Sequence, residues 1–236
     1  MKQKIMRMLA MATVVLGLAS CNNSEPGSST VYFLDIVSYD AESAGGSTFT
    51  VRKNGDSELV TYTTPQKLST VDFKVGTRVL ISYTNESQTQ YVSGPITLAA
   101  AANVEGKGDP VQKKTAEETA DWASDKVSVA SLFRSGEFIN IQFSGALGSQ
   151  KAIVEMYLDS ETADSEYPEL HLIFGPYTGY VDTPYMFYGS WSIANIWNRP
   201  DCKGIKVFYN STSSQSMALF EKASGTPTPS PLTGSL

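Results

Sequence analysis

Few side chains in this sequence can do chemistry near neutral pH: one histidine, His171, and two cysteines, Cys21 and Cys202. The context of Cys21 is the most specific. Lys2, Lys4 and Arg7 precede an apolar run from Met8 to Leu18, and small Ala19 and Ser20 lead into the cysteine. A basic start, an apolar segment and small residues at the cut point make a secretory leader, here with the form of a bacterial lipobox. The thiol would accept lipid, so the mature chain is expected to begin at a lipidated Cys21. The apolar run is well short of the roughly 20 residues that a membrane-spanning helix needs.

His171 falls on the opposite phase from Leu170, Leu172 and Phe174, so on a strand it should face solvent. No Gly-x-Ser-x-Gly context supplies a nucleophile for it, and a zinc site needs several ligands where Cys202 is a distant second. Neither a catalytic residue, a metal nor a cofactor is assigned. Cys202 stands between Arg199 and Lys203, cations that would lower a thiol pKa if they faced it. A free cysteine is more often a small buried hydrophobe, and it is read so here. Asp159, Glu161, Asp164, Glu166 and Glu169 are the densest acidic stretch and offer oxygens for calcium. The glycine and spacing of a calcium-binding loop are missing, so 159–169 reads as a solvated connection between strands.

The aromatic residues between Tyr177 and Trp197 are the remaining candidates. Tyr185, Phe187 and Trp191 share one phase and are expected in the core. Tyr177 and Tyr180, in a glycine-flanked turn, and Tyr188, on the opposite face, are the candidate binding residues. Exposed rings of this kind anchor protein partners or stack on sugars.

The elements that must position these groups read as strands throughout. Alternation at Phe49/Val51, Val60/Tyr62, Val71/Phe73/Val75 and Val79/Ile81/Tyr83, with turns at 44–46, 54–56 and 85–87, predicts a small barrel over 31–105. Ile139/Ile141/Phe143, Val154/Met156/Leu158, Leu170/Leu172/Phe174 and Ile205/Val207/Tyr209 predict a β-sandwich over 125–222. Asn140, Gln142, Glu155, His171 and Lys206 would point outward, giving each sheet one wet face. Residues 106–124 are polar and read as a linker, with Thr115 and Glu118 at capping-box spacing for a short helix. Residues 21–30 read as a flexible tether and 223–236 as a Pro/Ser/Thr tail unable to fold. The fold class is therefore all-β: leader 1–20, tether, OB-like barrel, linker, β-sandwich, tail.

The chain holds 18 Lys and Arg against 24 Asp and Glu, a formal charge of −6. Loss of Lys2, Lys4 and Arg7 with the leader takes it three units further, to −9. Nucleic-acid binding, which needs clustered cations, is excluded as an expectation. Membrane attachment falls to the acyl chains on Cys21.

Four stretches resemble the NigD-like lipoproteins of Bacteroidetes. They are the lipobox at Cys21, Val75-Gly76-Thr77-Arg78-Val79-Leu80-Ile81-Ser82-Tyr83, Phe133-Arg134-Ser135-Gly136-Glu137-Phe138-Ile139-Asn140-Ile141-Gln142-Phe143, and the segment from Leu170-His171-Leu172 to Trp191-Ser192-Ile193. The third is the most specific, being similar to the family's turn-and-strand pattern. The resemblance implies an OB-like unit followed by a β-sandwich, outer-membrane localisation and a bacteriocin-immunity role. It supplies no catalytic residues. The expectation is a non-enzymatic envelope lipoprotein that binds a protein, or alternatively a glycan. A hydrolase of polysaccharide or peptide is the competing class, and would need an acid/base constellation that the sequence does not show.

Overall fold

The computed structural model describes residues 30–68, 73–122, 124–146, 153–175, 184–211 and 215–222. The leader 1–20, the tether up to Ser29 and the tail 223–236 lie outside the described residues. Among those described, no helix is long and apolar enough to cross a membrane.

The first unit is built from β1 (Phe33–Ser43), β2 (Gly46–Arg52), β3 (Leu59–Thr64), β4 (Arg78–Thr84), β5 (Gly94–Pro95) and β6 (Thr97–Asn103). They form one sheet in the order β5-β3-β2-β1-β4-β6. Odd-numbered residues of β1, β2 and β4 turn inward, and Val37, Tyr39, Phe49, Val51, Val79, Ile81 and Tyr83 make its core. The ladder does not close into the expected barrel. Its two edges are nevertheless halves of one segment: β5 pairs with β3 in parallel and β6 with β4 antiparallel, with only Ile96 between them. Ile96 N–H donates to Thr63 O at 2.8 Å, and the Gln66 side chain bonds both N–H and C=O of Leu98. The sheet therefore curls around its core in the OB-like manner without a continuous ring of hydrogen bonds. Of the strand expected through Val71, Phe73 and Val75, Val71 lies outside the described residues; among the described residues, 73–77 form no strand, and Val75 is 52% exposed at a turn. That turn is set by Gly76 at φ +89°, where the Thr77 hydroxyl donates to Lys74 O at 2.7 Å.

The second unit is a sandwich of two sheets. One holds β8 (Ser128–Ser135), β9 (Phe138–Ala146) and β12 (Pro184–Ser192) in the order β12-β9-β8. The other holds β7 (Gln112–Lys114), β10 (Ile153–Asp159), β11 (Glu169–Gly175), β13 (Gly204–Asn210) and β14 (Gln215–Glu221) in the order β14-β13-β11-β10-β7. Phe143 stacks on Phe187 at 5.2 Å within the first sheet, and Phe174 of the second meets both edge-on at 5.1 Å. Offset and edge-to-face rings of this kind add to plain area burial. The short helix α2 (Ala194–Trp197) closes the core with Ile196 and Trp197. Cys202 is buried there as a small hydrophobe, and the cations beside it are engaged elsewhere, Arg199 with Asp201 and Lys203 with Glu166.

Residues 105–114 are paired along their length with the sandwich. Glu105 N–H donates to Tyr188 O, Gly108 N–H to Ser190 O and Val111 N–H to Ser192 O, at 2.8, 2.8 and 3.0 Å. The segment then supplies β7, parallel to β10, and α1 (Ala116–Thr119). The capping box is formed: Glu118 N–H donates to Thr115 Oγ1 at 3.2 Å and Thr115 N–H to the Glu118 carboxylate at 2.8 Å. Gly106, at φ +71°, has the Trp191 indole so close that a Cβ would lie 2.3 Å from its Nε1, so only glycine fits. Polarity suggested a free linker, but backbone pairing does not need apolar side chains.

Two further expectations are corrected. Asn140 reads by alternation as a wet-face residue, yet it is fully buried. The outer face of the β8-β9-β12 sheet packs on the first unit, so it is a second interior. Tyr185, expected in the core by phase, is 38% exposed, because it lies only one residue into β12.

Candidate functional site

The register of the strands lays two rows of side chains across the outer face of the β8-β9-β12 sheet. Phe133, Asn140 and Ser190 form one, and Ser131, Gln142 and Tyr188 the other. Facing them on the first sheet, β1 and β4 pair Ser38 with Arg78 and Ile36 with Leu80. Where the first row meets Arg78 the units lock, and beside the second row they part into a cleft.

Arg78 makes the lock. Its side chain is 3% exposed. Nε donates to Ser190 Oγ at 3.2 Å, Nη1 to Ser38 Oγ at 3.0 Å, and Nη2 to Ile36 O at 2.9 Å and Asn140 Oδ1 at 3.2 Å. The Phe138 ring lies 4.5 Å from the guanidinium carbon. Burial pushes the Arg78 pKa down to about 9, against the pull of Asp40 and Asp35, so the group stays charged at neutral pH. A second clamp lies at the far end of β8. Arg134 grips Asp56 with both Nη atoms, at 2.8 and 2.7 Å, and stacks 4.1 Å from the Trp197 ring. Backbone bonds between Gly55 and both Arg134 and Gly136, each 2.7 Å, tie the β2–β3 turn to the same place.

The cleft has a volume of about 160 Å³. Leu34, Leu80 and Tyr91 of the first unit and Phe133, Gln142 and Tyr188 of the second line it, with Asp35 at its floor. Asp35 is buried, and its carboxylate is engaged on both oxygens. The Tyr83 and Tyr62 hydroxyls donate to Oδ2 at 2.7 and 3.2 Å, and Gln90 Nε2 to Oδ1 at 2.7 Å. Burial, reinforced by the carboxylate, raises the Tyr62, Tyr83 and Tyr91 hydroxyls well above the usual tyrosine value, so they remain donors. Gln88 and Tyr91 hold φ at +50° and +61°, a region that non-glycine residues rarely occupy. The bond from Gln90 to Asp35 holds that strained loop against the cleft.

Of the candidate binding residues, Tyr188 lines the cleft, half-buried, its oxygen 3.4 Å from Gln142 Nε2. Tyr177, Tyr180 and the lipidation candidate Cys21 lie outside the described residues. The sequence reading missed Arg78, Asp35 and Asn140. The available sign was a charged residue opening an otherwise alternating strand, as Arg78 does in β4.

His171 is remote from the cleft, on the outer face of the other sheet. It is half-buried between the Tyr157 and Phe208 rings, each 5.2 Å away and nearly parallel. No serine or cysteine is bonded to it among the described residues. The Asp159 and Glu169 carboxylates stand beside it instead.

No protein-family model matches the sequence, and no curated protein matches it. Solved structures do match. A protein of unknown function, DUF1344, from Bacteroides vulgatus ATCC 8482 has a TM-score of 0.62 at 18% identity, covering 86% of this chain and 97% of its own. A protein described as toxin-related from Parabacteroides distasonis ATCC 8503 has a TM-score of 0.59 at 15% identity, covering 83% and 95%. A NigD-like immunity protein from Bacteroides caccae ATCC 43185 has a TM-score of 0.53 at 17% identity, covering 80% and 92%. None of the three is described as an enzyme. Over most of its length, this chain has the two-unit all-β fold of a NigD-like immunity protein.

Proposed function

We propose that this protein is a lipoprotein anchored in the outer membrane through Cys21, and that it acts by binding a protein partner in an immunity-like role rather than by catalysis. The observation that carries the reading is the cleft between the two locked units. Its walls are apolar, its volume of about 160 Å³ suits one large inserted side chain, and its polar rim is made of neutral groups, Ser131, Gln142 and Tyr188. General acid/base work needs a group free to take or give a proton. The carboxylate at the floor is engaged by three donors, and burial raises the Tyr91 hydroxyl well above the usual tyrosine range, an arrangement that favours gripping a ligand over moving a proton. A rigid aromatic in a desolvated pocket is a usual energetic centre of protein recognition. The fold shared with a NigD-like immunity protein supports the immunity version. Glycan binding has less support, since the His171 ring, with Tyr157 on one face and Phe208 on the other, has no face left for a sugar.

A photoreactive benzoylphenylalanine in place of Tyr188, expressed in the native cell, tests this. Irradiation should give discrete higher-mass protein adducts, lost when Leu34→Asp is added at the cleft wall. Absence of adducts from Tyr188, together with binding on a glycan array, would overturn the protein-partner reading. Cys21→Ala should release the chain into the soluble envelope fraction, and retention in membranes would overturn the anchor.

A further inference from the structure

We propose that Asp159, Glu169 and His171 form a binding site for a zinc-class divalent cation on the outer face of the second sheet, far from the cleft. Two features that look unrelated in the sequence meet here. The register of β10 against β11, Tyr157 to His171 and Leu158 to Leu170, carries Asp159 to the end of the ladder beside Glu169. One ligand atom from each of the three residues lies within 4.8 Å of the others. Zinc bonds of about 2.0–2.2 Å bring tetrahedral ligand atoms to roughly 3.4 Å apart, so the carboxylates need only close inward. All three side chains are half-buried, which leaves an entry path.

The imidazole is already positioned. Tyr157 and Phe208 cover both its faces, at 17° and 14° from parallel, so only its edge, where the ring nitrogens are, is open. A ligand locked in orientation loses little freedom when a metal binds. The carboxylates keep donor capacity. Lys206 Nζ takes Glu169 Oε1 at 2.9 Å, and Glu161 N–H takes Asp159 Oδ1 at 2.9 Å, leaving one oxygen of each for an ion. One nitrogen and two carboxylate oxygens, with a position open for water, is a donor set for zinc, cobalt or nickel. Calcium takes six to eight oxygens and gains little from imidazole. The reading does not depend on the partner proposed for the cleft.

Titration of Zn²⁺ into the chelator-stripped full chain, followed by calorimetry and thermal unfolding, tests the site. The expected result is one ion per chain and a melting temperature that rises with Zn²⁺. His171→Asn, Asp159→Asn and Glu169→Gln keep the side-chain shapes, and each should weaken Zn²⁺ binding by at least about tenfold, the lower end for losing even a supporting contact. Their melting temperatures in chelator should match that of the parent chain, which separates lost binding from lost folding. Co²⁺ should give visible absorption bands that His171→Asn abolishes. Zn²⁺ uptake unchanged in all three variants, or Ca²⁺ bound as tightly as Zn²⁺, would overturn the proposal.

Discussion

Arg78 Nη2 donates to Asn140 Oδ1 at 3.2 Å across the contact between the two β units, and Ser190 Oγ donates to the same oxygen at 2.8 Å. Arg78 opens β4 of the first unit, and Asn140 and Ser190 sit opposite each other on β9 and β12 of the second. The contact thus joins three of the sequence stretches that resemble NigD-like proteins, 75–83, 133–143 and 170–193. Among the described residues, Asn140 Nδ2 has no hydrogen-bond partner, and the amide is held through its oxygen. A buried cation held by neutral oxygens and one ring is costly to disturb, because removing it strands several acceptors at once.

Arg78→Met keeps the aliphatic bulk and removes all four donated hydrogen bonds. Stranded buried acceptors cost about 1–3 kcal/mol each, partly relieved by rearrangement, so a net loss of about 3 kcal/mol is expected. Urea unfolding followed by tryptophan fluorescence should show it. All three tryptophans lie beyond residue 120, so loss of coupling would appear as divergence from a probe on the first unit. A variant with parental stability and coincident transitions would show that the lock is dispensable.

Limited proteolysis should leave 105–114 intact under native conditions. Polar composition alone favours cutting there, but proteases need backbone that can be released from its hydrogen bonds. Glu105, Gly108 and Val111 are bonded to β12, and 112–114 lie in a sheet. Early cleavage between Gly106 and Lys114, read by mass spectrometry, would refute this.

Alternation located most strands, because inward residues such as Ile139, Ile141 and Phe143 repeat every second position. The short helix was legible too, since Thr115 and Glu118 encode their own cap. What alternation cannot report is what covers the second face. Asn140 and His171 both read as wet-face residues. The first lies under another unit and the second between two rings brought together from other strands. Asp35 shows the same gap from the inside: its inward phase in β1 is visible, but the donors that make it tolerable come from positions 62, 83 and 90. Polar groups that stabilise contacts between distant segments have no local period.

Acid should weaken the second clamp. The bidentate hydrogen bonds from Arg134 hold the Asp56 carboxyl below its usual value of 3.8, against a smaller opposing effect of burial. A depressed folded-state pKa contributes stability that is present above the unfolded value and lost as pH falls through the folded one. The Asp56 side chain is 74% exposed, so solvent screening keeps the contribution to about 1 kcal/mol or less. Urea midpoints measured from pH 5 down to pH 2 should fall more steeply for the parent chain than for Asp56→Asn. Parallel curves would mean that the pair adds nothing to stability.

Asp35→Asn should loosen the wall of the cleft while leaving the core of the first unit in place. The substitution keeps shape but turns one acceptor oxygen into a donor, which then faces either the Tyr62 and Tyr83 hydroxyls or the Gln90 amide. A buried donor set against a donor costs about 1–3 kcal/mol. The strained backbone at Gln88 and Tyr91 depends on those bonds, so the loss should concentrate in the loop 85–93. Hydrogen exchange should therefore quicken at Gln90 and Tyr91 by about tenfold or more, with Val37, Phe49 and Val79 changing far less. Because Tyr91 lines the cleft, crosslinking from position 188 should fall in the same variant. Uniform acceleration across the first unit would instead make Asp35 a general core residue, with no particular hold on the loop.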